Sequence, residues 1–346
     1  MRNNFSLRVS SPLVIFLAGI FIAATLFAGS QKKDYYVYQY VIQKAEGSFD
    51  EISRELVNSA KENGWQVLAQ VDNGVPKKCP YKARVFVLYD SAYAEKIMEA
   101  NSKTGPFAVV DRINLFQDEN GTHISLVNPH SINRTILMND TAYEKMSEEH
   151  LQALRKMITG SVKGTVSDKG YGQKRSKGYI GKTMGIMAGG SFDGKIKDGI
   201  EGNGSDLEKV VSVVNTALMQ AGPKWGTHEV YKVDFPKYKT VLFGVTGTPM
   251  DSKSFEIVRA GSDNSRKHFK CPGLAHAAAY PLEVVVVKEN SKIRVTLVDE
   301  MFRMKMYFED AGKWAFMKNM GMPGSIQDEL LHKMRVALKL QGLKVL

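Results

Sequence analysis

Alternating and helical patterns of apolar residues divide the first half of the chain into short strands and two long helices. Tyr35–Gln43 is rich in aromatic and β-branched residues, a composition that favours a strand. Ser48-Phe-Asp-Glu51 has the residues of a capping box, so a helix is predicted to start there and to end near Gly64. The same criteria predict strands over residues 65–71, 84–89, 109–116 and 122–127, and helices over residues 92–100 and 142–158.

Short turns join most of the predicted strands, which favours an antiparallel sheet. Residues 117–121, with sequence Gln-Asp-Glu-Asn-Gly, are an obvious hairpin turn. The amphipathic helices at both ends of this segment bury their apolar faces by packing against the sheet. The predicted fold class is therefore α+β, with a domain of β-α-β4-α type whose antiparallel sheet is covered by helices on one face.

The second half of the chain repeats the pattern of the first. The motif at Ser48 returns as Ser205-Asp-Leu-Glu208, 157 residues later. The hairpin strand Ile124-Ser-Leu-Val-Asn128 returns at an offset of 171, and the closing helix at an offset of 180. A duplicated unit predicts two similar domains packed as a pseudo-dimer. We refer to them as copy one, residues 35–159, and copy two, residues 205–341.

Two segments lie outside the copies. Residues 1–30 have a basic start, an apolar run and a small-residue end, which is typical of a signal peptide. The alternative is an uncleaved anchor that associates with the membrane through residues 12–29. Residues 160–204 form a Gly/Lys-rich linker that is predicted to be flexible, although residues 179–187 are a candidate first strand for copy two.

Charge and export limit the choice of partners. The net charge is +11, and much of the excess lies in the linker, where six basic residues between Gly160 and Lys182 face only Asp168, a pattern typical of a solvated, self-repelling segment. A nucleic-acid partner is therefore not expected. Export predicts a periplasmic or cell-envelope location, where Cys79 and Cys271 have the oxidising conditions needed for a disulfide.

Several of these elements resemble a known family. The strand over residues 84–89, the short helix after it and a hairpin that ends in Ser125-Leu-Val-Asn-Pro129 are similar to the bacterial and archaeal domain-of-unknown-function 302 (DUF302) family. The family typically has Asp-Pro at this position, where copy one has Asn128-Pro129 and copy two has Asp299-Glu300. The resemblance implies a β-α-β4-α domain, sometimes in tandem, and no functional residues, because the family is uncharacterised.

Two functions remain open from the sequence. The first is a binding or interaction module of the cell envelope for a small ligand or a protein, without catalytic activity or a cofactor. The second is a metal- or thiol-dependent redox protein, in which His268, Cys271 and His276 hold a transition metal. No G-x-S-x-G, H-E-x-x-H or paired C-x-x-C motif occurs in the chain. Strand alternation places Arg112 on the opposite face from Asp111, so that polar groups of this hairpin point towards a cleft or form surface ion pairs.

Overall fold

The first sheet contains the predicted strands of copy one. In the computed structural model, which describes residues 33–182, 188–203, 206–258, 266–311 and 313–343, the strands are β1 (Tyr35–Gln43), β2 (Gln66–Asp72), β3 (Ala83–Tyr89), β4 (Asp111–Asp118) and β5 (Gly121–Val127). They are antiparallel and lie in the order β2-β3-β4-β5-β1.

Two long helices cover one face of this sheet. They are α1 (Phe49–Glu62) and α4 (Glu144–Ser161), and they bury an apolar layer that includes Phe86 and Ile113. The capping box at Ser48 is present, because its hydroxyl accepts from the amide of Glu51 and the Glu51 carboxylate accepts from the amide of Ser48. The shorter helices α2 (Ser91–Ala100) and α3 (Pro129–Ile136) lie in the connections.

The strands of the second sheet are β8 (Ile196–Asn203), β9 (His228–Phe235), β10 (Thr240–Thr246), β11 (Leu282–Glu289) and β12 (Lys292–Val298). Their order, β9-β10-β11-β12-β8, is the same as that of the first sheet. The helices of copy two are α5 (Leu207–Met219), α6 (Thr248–Ile257), α7 (Glu300–Phe308), α8 (Lys313–Lys318) and α9 (Gly321–Leu340). The α+β prediction of two antiparallel sheets with helices is confirmed.

Strand register agrees with the offsets found in the sequence. Phe86 on β3 pairs with Ile113 on β4, and Phe243 on β10 pairs with Val284 on β11. These are the same two positions at offsets of 157 and 171. The two segments therefore have equivalent neighbours in their sheets as well as similar sequences.

The faces that the long helices leave uncovered are turned towards the other copy. A single 3₁₀ turn over Gly105–Phe107 connects α2 to β4, and it contacts β10 of copy two. A longer 3₁₀ segment over Pro272–Ala279 connects α6 to β11, and it contacts β3 and β4 of copy one. The contacts are reciprocal, because each copy places the same connection on the middle of the other sheet.

The linker differs from the flexible segment predicted. Two of its stretches, β6 (Thr165–Val166) and β7 (Gly170–Arg175), pair with β1 and extend the first sheet. Tyr171 and Arg175 explain why, since both side chains are inserted between the copies. The Tyr171 hydroxyl donates to the carbonyl of Ala275, and the Arg175 guanidinium donates to the carbonyl of Met306 and to Glu309. These partners could not be seen in the local sequence.

The first strand of copy two also lies in the linker, but not at the predicted place. It is β8, Ile196–Asn203, and it pairs with β12. The predicted strand over residues 179–187 extends into residues 183–187, which lie outside the described part of the chain. In the described part of that segment, Ile180 makes only an isolated bridge to Gly190.

The position that carries the family resemblance is a helix cap. Asn128 accepts from the amide of His130 at the start of α3, and Asp299 accepts from the amides of Met301 and Phe302 at the start of α7. A short side chain with an oxygen acceptor is preferred at an N-cap, which explains both Asn and Asp here.

The N-terminal prediction concerns residues 1–30, which lie outside the described residues. Within the described ranges, no helix is both long enough and apolar enough to cross a bilayer.

Candidate ligand-binding site

A charged cluster is buried where the two sheets meet. Arg112 of copy one donates from Nη1 to Glu283 Oε1 at 3.1 Å, and Arg303 of copy two donates from Nε to Glu283 Oε2 at 2.8 Å. The carbonyls of Ala279 and Pro281 accept from both guanidinium groups. We call Arg112, Glu283 and Arg303 the buried triad.

Arg112 and Glu283 occupy the same position in the two copies. Their offset is 171 residues, and they pair with Val87 and Gly244, which are 157 residues apart. A position that meets its own equivalent lies near a pseudo-two-fold axis. Opposite charges at that position attract, whereas two identical charged residues would repel. The Tyr231 ring packs against Gly244, which has no Cβ; a Cβ there would lie 1.9 Å from Cε1 of the ring.

The triad carries an excess of positive charge. The side chains of Arg112 and Glu283 are each 4% exposed, and that of Arg303 is 8% exposed. Burial raises the pKa of Glu283, but the charges of Arg303 and Arg112 outweigh that effect and hold the pKa below its usual value. Glu283 is therefore ionised at neutral pH, and two cations share one carboxylate.

One side of the triad opens onto an apolar pocket in copy two. The pocket lies between α6, α7, α9 and the ends of β11 and β12, and its cavity volume is about 110 Å³. Glu283 and Arg303 belong to its wall. The apolar wall is formed mainly by Ile257, Leu282, Leu297, Met304, Phe308, Met322, Ile326 and Leu330.

The equivalent region of copy one is filled by a polar network. Nε2 of His150 lies 2.9 Å from both carboxylate oxygens of Asp111, and the imidazole stacks on Tyr93 with ring centroids 3.4 Å apart. Asn133 donates to the hydroxyls of Tyr93 and Ser147 at 2.7 and 2.9 Å. Burial raises the pKa of the Tyr93 hydroxyl far above its usual value, so it stays protonated.

Copy two replaces three members of this network with apolar side chains. At an offset of 171 the equivalents of Asp111 and Asn133 are Leu282 and Met304, and at an offset of 180 the equivalent of His150 is Leu330. All three replacements line the pocket. Copy one thus closes this region with hydrogen bonds between its own side chains, and copy two leaves an apolar space.

The cysteines and histidines that the sequence suggested as site residues lie in different environments. Cys79 and Cys271 form a disulfide that links the copies, with an Sγ–Sγ distance of 2.06 Å. His276 is buried and its Nε2 lies 3.0 Å from an Asp310 carboxylate oxygen, while His268 is exposed. Because the Cys271 sulfur is bonded to Cys79, it is not a thiolate ligand, and the predicted metal set of His268, Cys271 and His276 is not assembled.

The described residues form no other cluster of metal ligands. In the described part of the chain, no group of three or more His, Cys, Asp or Glu side chains is arranged to hold a metal ion. Three methionines of α7 are packing residues: Met301 and Met306 are buried in the core, and Met304 lines the pocket.

Sequence reasoning missed Glu283 and Arg303. Arg112 was placed correctly on the strand face opposite to Asp111. Its equivalent in copy two is an acid, and this reversal of charge between two aligned positions was a visible signal for an interface pair. Nothing in the sequence around Arg303 distinguishes it from an exposed helical arginine.

Comparison with known proteins shows a structural similarity to an uncharacterised protein. No family model matches the chain, and no curated protein matches it. The crystal structure of the uncharacterized conserved protein DUF302 from Bacillus stearothermophilus is similar at 17% identity and a TM-score of 0.31. The similarity covers 36% of this chain and 98% of that chain. The fold described here therefore depends on the strand order and register, not on this similarity.

Proposed function

We propose that the protein is a non-catalytic binding module of the cell envelope, and that the apolar pocket of copy two holds a small ligand. The pocket carries this proposal. An engineered apolar cavity of about 150 Å³ is enough to bind benzene, so a cavity of about 110 Å³ is in the range that accommodates a short hydrocarbon chain. Apolar walls with a few polar groups are typical of small-molecule sites.

The contrast between the copies supports the same proposal. If the two copies had only to form a stable core, either the polar network or a filled apolar core would be sufficient in both copies. Copy one uses a polar network that satisfies itself, whereas copy two presents Leu282, Met304 and Leu330 to an open space. The module would therefore bind ligand in copy two and use copy one as support.

The disulfide supports the proposed location. Cys79 and Cys271 are 192 residues apart in sequence, and their bond joins the two copies. Such bonds persist in oxidising compartments and are rare in the cytosol of most organisms. Sequencing the mature N-terminus from fractionated cells tests this: export with cleavage near residue 30 is expected, and recovery of the full chain in the cytosol would contradict the proposal.

Methionine-methyl NMR tests the pocket directly. Met304 and Met322 line it, whereas Met98 and Met157 are buried in copy one. Titration of the protein with 1-hexanol should shift the methyl signals of Met304 and Met322 and leave the other two unchanged. Burial of five methylene groups at about 0.8 kcal/mol each predicts a dissociation constant in the millimolar range.

A matched pair of variants locates the binding. Ile326→Phe adds volume inside the pocket, and Met146→Phe makes the same kind of change at the equivalent position of copy one. The first variant should abolish the hexanol shifts and the second should retain them. Saturation with no methyl shift, or equal binding by both variants, would rule out the pocket.

A further inference from the structure

We propose that the natural ligand is an amphiphilic anion, with a carboxylate or similar group held by Arg303 and a short apolar tail in the pocket. This inference rests on the proposed function, since it names the ligand class of the same pocket.

The charge balance of the buried triad is the first reason. Two guanidinium groups, Arg112 and Arg303, share the single carboxylate of Glu283. A buried charge without a counter-charge is costly, because neither water nor a partner stabilises it. An anionic group bound beside the triad brings it to neutrality.

The hydrogen bonds of Arg303 are the second reason. Its Nε and Nη2 atoms donate to Glu283 and to the carbonyls of Ala279 and Pro281. Its Nη1 atom has no acceptor among the residues that the structure describes, although Arg303 is part of the pocket wall. A guanidinium nitrogen with two N–H groups is suited to a carboxylate oxygen.

The acidic residues of the pocket wall do not oppose an anion. Both oxygens of Glu283 already accept from guanidinium groups. Glu300, the other acid of the wall, is paired with Lys197 at 3.1 Å. Both acids of the wall are therefore already paired with cations, while the remaining wall is largely apolar and suits a hydrocarbon tail.

The test compares three ligands of equal chain length: hexanoate, 1-hexanol and hexylamine. Methyl shifts of Met304 and Met322 report binding to the intact protein at pH 7.5. Hydrogen bonds to charged groups are stronger than neutral ones, so hexanoate should bind about 10-fold or more tightly than hexanol, and hexylamine more weakly than both. Equal affinity of hexanoate and hexanol would overturn the anionic assignment while leaving the pocket itself in place. Absence of binding by all three would remove the pocket as well.

Variants of Arg303 add a second readout. Arg303→Lys keeps the positive charge beside Glu283 but shortens its reach, and it should reduce the preference for hexanoate over hexanol at least several-fold. Arg155→Lys is the matched control, because that arginine donates to the carbonyls of Tyr40 in copy one and Ser167 in the linker, and the ligand preference of this variant should remain unchanged. An unchanged preference in Arg303→Lys would overturn the role given to Arg303. The three-ligand comparison on the unmodified protein decides the ligand class even where the variant does not fold.

Discussion

Substitution of the acid of the buried triad should lower the free energy of unfolding more than substitution of one of its arginines. Glu283→Gln removes the carboxylate of the triad and leaves the guanidinium groups of Arg112 and Arg303 close together in a buried site. Removing one partner of a buried charge pair typically costs about 3–5 kcal/mol of unfolding free energy. We expect a loss of that size for Glu283→Gln.

Arg112→Met should cost much less. The variant leaves one cation, Arg303, with one anion, Glu283, and the carbonyls of Ala279 and Pro281 still accept from Arg303. The methionine retains most of the buried apolar contact of the arginine stem. The loss is then mainly that of the hydrogen bonds made by Arg112, or about 1–2 kcal/mol.

The double variant Glu283→Gln/Arg112→Met tests whether the two guanidinium groups repel each other. In the Glu283→Gln background, Arg112→Met removes one of two repelling charges, so it should stabilise the protein instead of destabilising it. Urea unfolding followed by tryptophan fluorescence, with the disulfide intact, measures all three free energies. Glu95→Gln, which breaks the exposed pair with Lys237, serves as the control and should leave stability unchanged. Equal losses in the two single variants, or additive losses in the double variant, would refute this account of the triad.

Three further outcomes follow from other contacts. Burial raises the pKa of Asp251 from 3.8 to about 7. Because the pKa is higher in the folded state, protonation of Asp251 stabilises the fold by at most about 4 kcal/mol, fully below about pH 4, and this contribution is lost as the pH rises to about 7. Asp251→Asn should therefore make the free energy of unfolding, measured in urea, less dependent on pH across this range. Replacing both Cys79 and Cys271 by Ser opens a loop of 192 residues and should cost about 5 kcal/mol in the chain-entropy model, seen as a lower melting temperature that reducing agent no longer changes. Gly244→Ala places a methyl 1.9 Å from the Tyr231 ring and should cost about 1–3 kcal/mol in urea unfolding; an unchanged midpoint would contradict the tight packing there.

Much of the local structure followed from the sequence alone. The apolar spacing of α1, the capping box at Ser48 and the turn between β4 and β5 are interactions among residues a few positions apart. Such interactions are written in short stretches of sequence, and for that reason the strands of copy one were predicted within a few residues. The repeated offsets extended the same information to copy two.

Long-range pairing was decided only by the tertiary structure. The pairing of β7 with β1, the position of β8, and the insertion of Tyr171 and Arg175 between the copies depend on surfaces from distant parts of the chain. The glycine and lysine content of the linker predicted flexibility. The interactions that order the linker come instead from these remote partners. Local composition does not contain that contribution.

The candidate site shows the same division. Alternation along β4 determined that Arg112 and Asp111 point to opposite faces, since successive side chains of a strand always do. Which groups they meet was not determined: Asp111 faces His150 in copy one, and Arg112 faces Glu283 in copy two. The sequence established two similar sheets with their helices, and the packing of one sheet on the other decided which charges were buried, which cysteines met and where a pocket remained. Those outcomes depend on the shape and burial of whole faces, which no single stretch of residues specifies.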